Sequence, residues 1–263
     1  MSAPRNACAA FSIAVAVASL AVAVGGQERP LPSRQPFFDA TRANLERSQR
    51  QQAGYAYRER RRELHTNPFG RLGSGMGNEE FEVTPLPDGR IQRRLVARDG
   101  MPVTDGDTTR SLPRARTSKR SPVADTAEAL DLVLDHREQL NGRDVIVITF
   151  SPKAGAQPES REAKLARYFK GRILVDEADH EVVRVKATAI DDITYGLGVV
   201  ARVNEGATVT LVRERVDADT WLPTSIRLSG DGRAMLFRKL RVDHLIEWFD
   251  YRRVTAGRPY SSP

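Results

Sequence analysis

Hydrophobic and polar positions alternate with a period of two through much of the second half of the chain, and that rhythm predicts strands. Val183, Val185, Ala187 and Ala189 alternate with Arg184, Lys186 and Thr188, so the first set is expected to share a buried face and the second a wet one. The same pattern predicts strands near 207–216, 222–228, 234–242 and 245–253, punctuated by Asp217-Ala218-Asp219 and Ser229-Gly230-Asp231-Gly232. Val145 to Phe150 is apolar without interruption, which suits a strand covered on both faces in the middle of a sheet. Nearer the start, Tyr55 to Arg61 alternates after Gly54. Phe81 to Thr84 and Arg90 to Ala97 are expected to pair across a turn at Asp88-Gly89, loosened by the flanking prolines.

Three stretches carry a helical spacing instead. Asp39 is placed to cap a helix running to about Gln52, with Phe38 and Leu45 on one face. Asp125-Thr126-Ala127-Glu128 has the spacing of a capping box, and Ala127, Leu130, Val133, Leu134 and Leu140 form a stripe that predicts a helix up to Asn141-Gly142. Ser160 suits the cap of a shorter helix carrying Leu165, Tyr168 and Phe169 and closed by Gly171. About ten strands with few helices predict a mainly β, α+β chain: a curved antiparallel sheet or half-closed β-barrel, with helices covering the concave face.

The first residues change where such a protein is expected to work. Arg5 precedes an uncharged run from Asn6 to Gly26 with an Ala- and Val-rich core, followed by Gln27-Glu28-Arg29. This is the layout of an export signal spanning 1–26, cut after Gly25 or Gly26, and it implies a periplasmic or otherwise extracytoplasmic protein. The core is shorter than the roughly 20 residues needed to span a bilayer. Cys8 is the only cysteine and would leave with the leader, so thiol catalysis, thiolate metal sites and disulfides are excluded from the mature chain. A flexible linker is expected over 27–36, one domain over 37–254 with a mobile excursion at 99–123, and a disordered tail over 255–263.

The formal net charge is +7, and only Arg5 would be lost on export. An exported basic chain meets anionic headgroups rather than nucleic acid, so a membrane-surface contact through basic residues is the expected electrostatic role, and nucleic acid is not expected as a partner. Arg58-Glu59-Arg60-Arg61-Arg62 and the basic residues from Arg114 to Arg120 read as a solvated strand face and a solvated loop.

The stretch LARYFKGRILVDEADHEVVRVKA from Leu165 to Ala187, a helix leading through a strand and an acidic hairpin into a second strand, resembles the exported lipoprotein carriers of the LolA/LolB-like superfamily and their lipoprotein-sorting relatives. Val216 to Pro223, with Trp221-Leu222-Pro223, resembles the next recurring element, and Phe249 to Arg253 the closing strand. The resemblance spans most of Phe37 to Val254. It implies an open half-barrel whose apolar side shields acyl chains from water. The long excursion at 99–123 departs from a minimal carrier, and no single arginine here matches the carriers' ligand-controlling one.

Catalytic chemistry finds no pattern to rest on. His65, His136, His180 and His244 are scattered without metal-ligand spacing, no serine stands in a nucleophile elbow, and Asp191-Asp192 face apart as strand or turn neighbours. The glycine-rich segment Gly70–Gly77 lacks the Gly-Lys-Ser/Thr end of a phosphate cradle. The expected function is therefore a carrier or binding protein for a lipid, lipoprotein or other amphiphile, with no cofactor and no metal. Its apolar cradle is expected from Leu134, Val145, Val147, Val183, Val185, Leu211, Ile226, Leu236 and Trp248. Two other readings stay open: an envelope interaction module that binds a protein partner with the same fold, and an envelope hydrolase.

Overall fold

Ser33 leads into the first helix, α1 (Arg34–Gln52), which starts five residues before the expected cap, so that Asp39 lies inside it. Pro36 is tolerated because it falls in the first turn, where backbone N–H groups have no helical acceptor. Phe37, Thr41 and Ser48 bury one side of the helix. The computed structural model describes residues 29–64, 78–103, 109–112, 121–195, 201–234 and 238–254. The chain divides into units Met1–Pro30 and Leu31–Pro263, and the architecture below is that of the second. The expected leader, linker start, glycine-rich loop, parts of the 99–123 excursion, C-terminal tail, His65 and Leu236 lie outside the described residues.

After α1 come β1 (Tyr55–Glu63), β2 (Glu79–Pro85), β3 (Ile91–Arg98) and the short β4 (Met101–Pro102) and β5 (Thr109–Leu112). Next are α2 (Pro122–Glu128), β6 (Leu130–Leu140), β7 (Arg143–Pro152), α3 (Arg161–Ala166), β8 (Phe169–Asp176) and β9 (Val182–Ala189). The chain closes with β10 (Ile193–Tyr195), β11 (Ala201–Val203), β12 (Thr208–Asp217), β13 (Thr220–Ala234) and β14 (Arg238–Arg253). All the strands belong to one curved, unclosed antiparallel sheet in the order β4-β3-β2-β1-β14-β13-β12-β9-β8-β7-β6, with β5, β10 and β11 attached beside it. The pairing of β1 with β14 ties the first strand to the last.

The expected helix from Asp125 to Leu140 is a correction. Only Pro122–Glu128 is helical, and Leu130–Leu140 is an edge strand paired with β7. Leu130, Leu132 and Leu134 alternate with Asp131 and Val133, and Asn141-Gly142, both at positive φ, form the two-residue turn into β7. The period of two and the hairpin turn prevail over the helical stripe, and a bulge between Leu134 and His136 lets the charged second half of the strand continue. Val133 of that stripe points away and is 56% exposed.

Three smaller corrections follow from the sheet. Ser160 does cap α3, its Oγ accepting from Ala163 N at 3.2 Å, but the helix stops at Ala166 and Phe169 opens β8. Ser229-Gly230-Asp231-Gly232 does not interrupt a strand; it lies within β13, and the two last expected strands merge into β14. β7 is next to the edge strand rather than central. It is nonetheless apolar on both faces: Ile146 and Ile148 pack with Phe37, Val175 and Val182, while Val145 and Val147 pack with Leu174, Val183 and Trp221.

Candidate functional site

Directly paired residues of antiparallel strands point to the same side, so the register decides which side chains share a face. On the side covered by α1, one ladder crosses the sheet. Leu134 pairs with Ile148, Ile148 with Ile173, and Ile173 with Val185. Val185 then pairs with Leu211, Leu211 with Ile226, and Ile226 with Ile246. The ladder ends in charge: Ile246 faces Arg61, Arg61 faces Glu79, and Glu79 faces Arg98. A second rung line beside it runs Ala187, Val209, Leu228 and His244.

The two halves of the ladder differ in packing. Leu134, Ile148, Ile173 and Val185 lie in the cluster under α1, where Phe37, Ile146 and Val175 are at most 2% exposed and the space between helix and sheet is filled. Leu211, Ile226 and Ile246 stand outside that cluster and remain half-buried. From Leu211 to Arg61 is three strand spacings, about 14 Å.

The helix is held by polar contacts along its length. Arg34 donates to Leu132 O at 2.6 Å and Asn44 to Asp179 O at 2.8 Å, while Ser48 Oγ lies 3.3 Å from Glu181 Oε1. Glu181 is buried and meets buried Arg213, whose Nη1 also donates to Val182 O and Nη2 to Trp221 O, both at 2.8 Å. At the other end of the helical layer, the buried Asp125 carboxylate accepts from Glu159 N and Ser160 N and so joins α2 to α3.

The charged end of the ladder holds a dense polar cluster. Glu59 is 7% exposed and accepts from Arg61 Nε at 2.5 Å, from Arg93 Nη2, and from Trp248 Nε1 at 3.3 Å. The Arg93 guanidinium lies 3.7 Å from the Phe81 ring centroid and Arg61 lies 5.6 Å from it. Beside them Tyr57 and Tyr251 have ring centroids 5.3 Å apart, and the Tyr251 hydroxyl donates to Pro223 O at 2.6 Å. Burial, reinforced by Glu59, pushes the Tyr57 hydroxyl up to about 12, and burial together with Tyr57 raises Tyr251 as well. Burial lowers Arg93, against the opposing pull of Glu59.

The residues expected to line one cradle divide between two faces. Leu134, Val185, Leu211 and Ile226 share the α1-side ladder, and Trp248 lies in the next line of pairs, opposite Glu59. Val145, Val147 and Val183 pack on the reverse face. Val183 separates from Val185 because of a register shift at Leu174/Val175: Leu174 pairs with Arg184 and Val175 with Val182, so Val183 is the unpaired bulge residue. The expected common face of Val183, Val185, Ala187 and Ala189 thus holds only for the last three, which pack in or against one cluster.

The polar cluster escaped sequence reading because Arg58 to Arg62 looks like one solvated run. In β1 the residues alternate: Tyr57, Glu59 and Arg61 turn to the ladder side, while Arg58 and Arg60 turn outward to Glu80. The parity of Tyr55, Tyr57 and Glu59 was the available signal. An open cleft of about 520 Å³ is lined by Arg60, Glu247 and Phe249 and also by Trp248 and Tyr251, so it reaches the residues beside the polar cluster.

No protein-family model and no curated protein matches the chain. Several solved structures are similar in overall arrangement. Among them is a LolA superfamily protein. It comes from Nitrosomonas europaea, is 12% identical, and is matched over 82% of this chain and 93% of its own at a TM-score of 0.36. A DUF1329 family protein from Desulfovibrio piger is 13% identical over 85% and 95% of the two chains, with a TM-score of 0.37. The MucA/MucB complex structure from Pseudomonas aeruginosa matches at 12% identity over 83% and 100%, with a TM-score of 0.28. Among the described residues, no helix is long and apolar enough to cross a membrane, and no group of three His, Cys, Asp or Glu is placed to hold a metal.

Proposed function

We propose that this chain is an exported, extracytoplasmic binding protein that holds the apolar part of an amphiphile along the half of the ladder that lies outside the α1 cluster, without catalysing a reaction. One observation carries the reading: Leu211, Ile226 and Ile246 form an unbroken apolar line on one face, half-buried and outside the α1 cluster, that ends at Arg61. A stripe of this kind removes apolar surface from water when a chain lies on it, worth about 0.8 kcal/mol per methylene. The buried cluster beneath α1 favours a ligand along the other half of the ladder over one under the helix. Native mass spectrometry of full-length protein exported from its own cell type tests this. A bound lipid or acylated molecule is expected, and its loss is expected in Ile226→Ser protein that retains a native circular dichroism spectrum.

A protein partner is the second reading, favoured by the open edge of the sheet. Among the described residues β6 pairs with β7 on one side only and presents Val133 at 56% exposure, an arrangement onto which a partner's strand can add. A stoichiometric polypeptide in the same spectra, in place of lipid, is the outcome that favours it.

A further inference from the structure

We propose that the polar end of the ladder is a headgroup subsite for an oxyanion, so that the amphiphile is an anionic one with a carboxylate or phosphate at the end of its chain. This rests on the groove reading above and adds the chemistry of the ligand's head.

The geometry supplies the charge. Arg61 and Arg93 converge on the single carboxylate of Glu59, while Arg98 pairs with Glu79 at 3.2 Å. Three guanidinium groups thus stand at the end of the apolar line with the carboxylates of Glu59 and Glu79, and a third carboxylate, Glu63, lies one rung away. Glu63 and His244 occupy the neighbouring rung, and Glu63 is engaged in an interaction of its own. Arg93 is held in place: Phe81 fixes the plane of its guanidinium by stacking, and Glu59 fixes its Nη2.

Two donors nearby lack acceptors among the described residues. Arg93 Nε is buried and unpartnered, and the Tyr57 hydroxyl makes no hydrogen bond. Leaving the buried, charged Arg93 donor unsatisfied is destabilising, and a ligand oxygen relieves it. Both Arg61 and Arg93 act electrostatically on the Tyr57 hydroxyl, which is protonated and a donor at neutral pH at its ordinary pKa and is pushed further up by burial. Ile246, directly opposite Arg61 on the same face, sets the distance from chain to head at one strand spacing, about 4.8 Å.

The test uses the full-length protein and three ligands with one chain length: hexadecanol, palmitate and hexadecyl phosphate, each competing with a neutral fluorescent probe. At least one anion is expected to bind about tenfold or more tightly than hexadecanol, which is roughly 1.4 kcal/mol. Which anion gains identifies the head as carboxylate or phosphate. Arg93→Gln and Tyr57→Phe, each checked for a native circular dichroism spectrum, are expected to remove most of that preference while leaving hexadecanol within about twofold. Tyr57→Phe keeps the ring and therefore reads the hydroxyl alone. Equal binding of all three ligands overturns the headgroup subsite and leaves the groove standing. Binding of none overturns the groove and this inference together, and a loss of hexadecanol binding equal to that of the anions shows that the two residues only support packing.

Discussion

Arg213 and Glu181 meet beneath α1 with Nη1 3.1 Å from Oε2, and both residues are at most 5% exposed. Burial lowers the Arg213 pKa, opposed by the carboxylate, and two carbonyl oxygens take up its remaining donors. Removing one member of such a pair strands the other charge, at a cost of about 3–5 kcal/mol. Arg47 Nη2 also lies 3.5 Å from Glu181 Oε1, so Arg213→Met is expected to lower the unfolding free energy in urea by about 3 kcal/mol, the lower end of that range, and Arg213→Met with Glu181→Leu is expected to recover most of it. Equal losses in the single and double variants would show that the helix is anchored elsewhere.

The acidic hairpin predicts the acid limit of stability. Burial raises the Asp176 pKa, but the Arg143 guanidinium and the backbone N–H groups of Asp179 and Ala178 outweigh it, and the net direction is downward. A carboxylate depressed in the folded state contributes stability that is complete above its unfolded value, about 3.9, and is lost as pH falls through the lower folded one. Asp176→Asn is expected to reduce stability at pH 7 by on the order of 1 kcal/mol, discounted because Arg143 is half-exposed. The difference between the two proteins is expected to shrink as pH falls below the unfolded value in denaturant titrations across pH.

A close approach of two strands gives a sharper mutation. A Cβ built at Gly171 would lie 2.0 Å from Lys186 O, a backbone atom that cannot move without opening the pairing of β8 with β9. Gly171→Ala is expected to cost about 3 kcal/mol, at the top of the range for overpacking. Gly155→Ala, where no atom lies within 4 Å but φ is +74°, is expected to cost only the strain of the left-handed backbone, about 1 kcal/mol. Thermal unfolding of both variants checks the order.

Period-two patterning made most of the sheet legible, because apolar and polar residues alternate along much of β9, β12 and the long β14. It misled where two periods coincide. Leu130, Val133, Leu134 and Leu140 fit a helical stripe as well as Leu130, Leu132 and Leu134 fit a strand, and only Asn141-Gly142, which serves both as a helix stop and as a hairpin turn, separates the two by tertiary pairing. Bulges were invisible for a related reason. Val183 obeys the alternation in sequence, yet one unpaired residue sends it to the opposite face from Val185. The cluster of Glu59, Arg61 and Arg93 joins β1 to β3, and nothing local to either strand announces that their parities meet over Phe81.

The joint between α2 and α3 gives a fourth expectation. Asp125 Oδ2 accepts from Ser160 N at 2.6 Å and Glu159 N at 3.1 Å, so Asp125→Ala leaves two backbone donors without that acceptor. A loss of roughly 1–3 kcal/mol is expected, with amide hydrogen exchange at Ser160 and Ala163 accelerating before the rest of the sheet. Uniform acceleration across the sheet would show that the joint unfolds only globally.

The ladder is tested most directly by where a bound chain lies. Trp248 is in the line of pairs next to Ile246 on the α1 side, whereas Trp221 packs with Val145, Val147 and Val183 on the reverse face. A fatty acid brominated along its chain quenches tryptophan only at close contact, so titration into Trp221→Phe and Trp248→Phe proteins separates the two faces. Saturable quenching in Trp221→Phe protein, with none in Trp248→Phe protein, is the predicted result. Quenching of Trp221 alone, or of neither tryptophan, would contradict binding along the ladder.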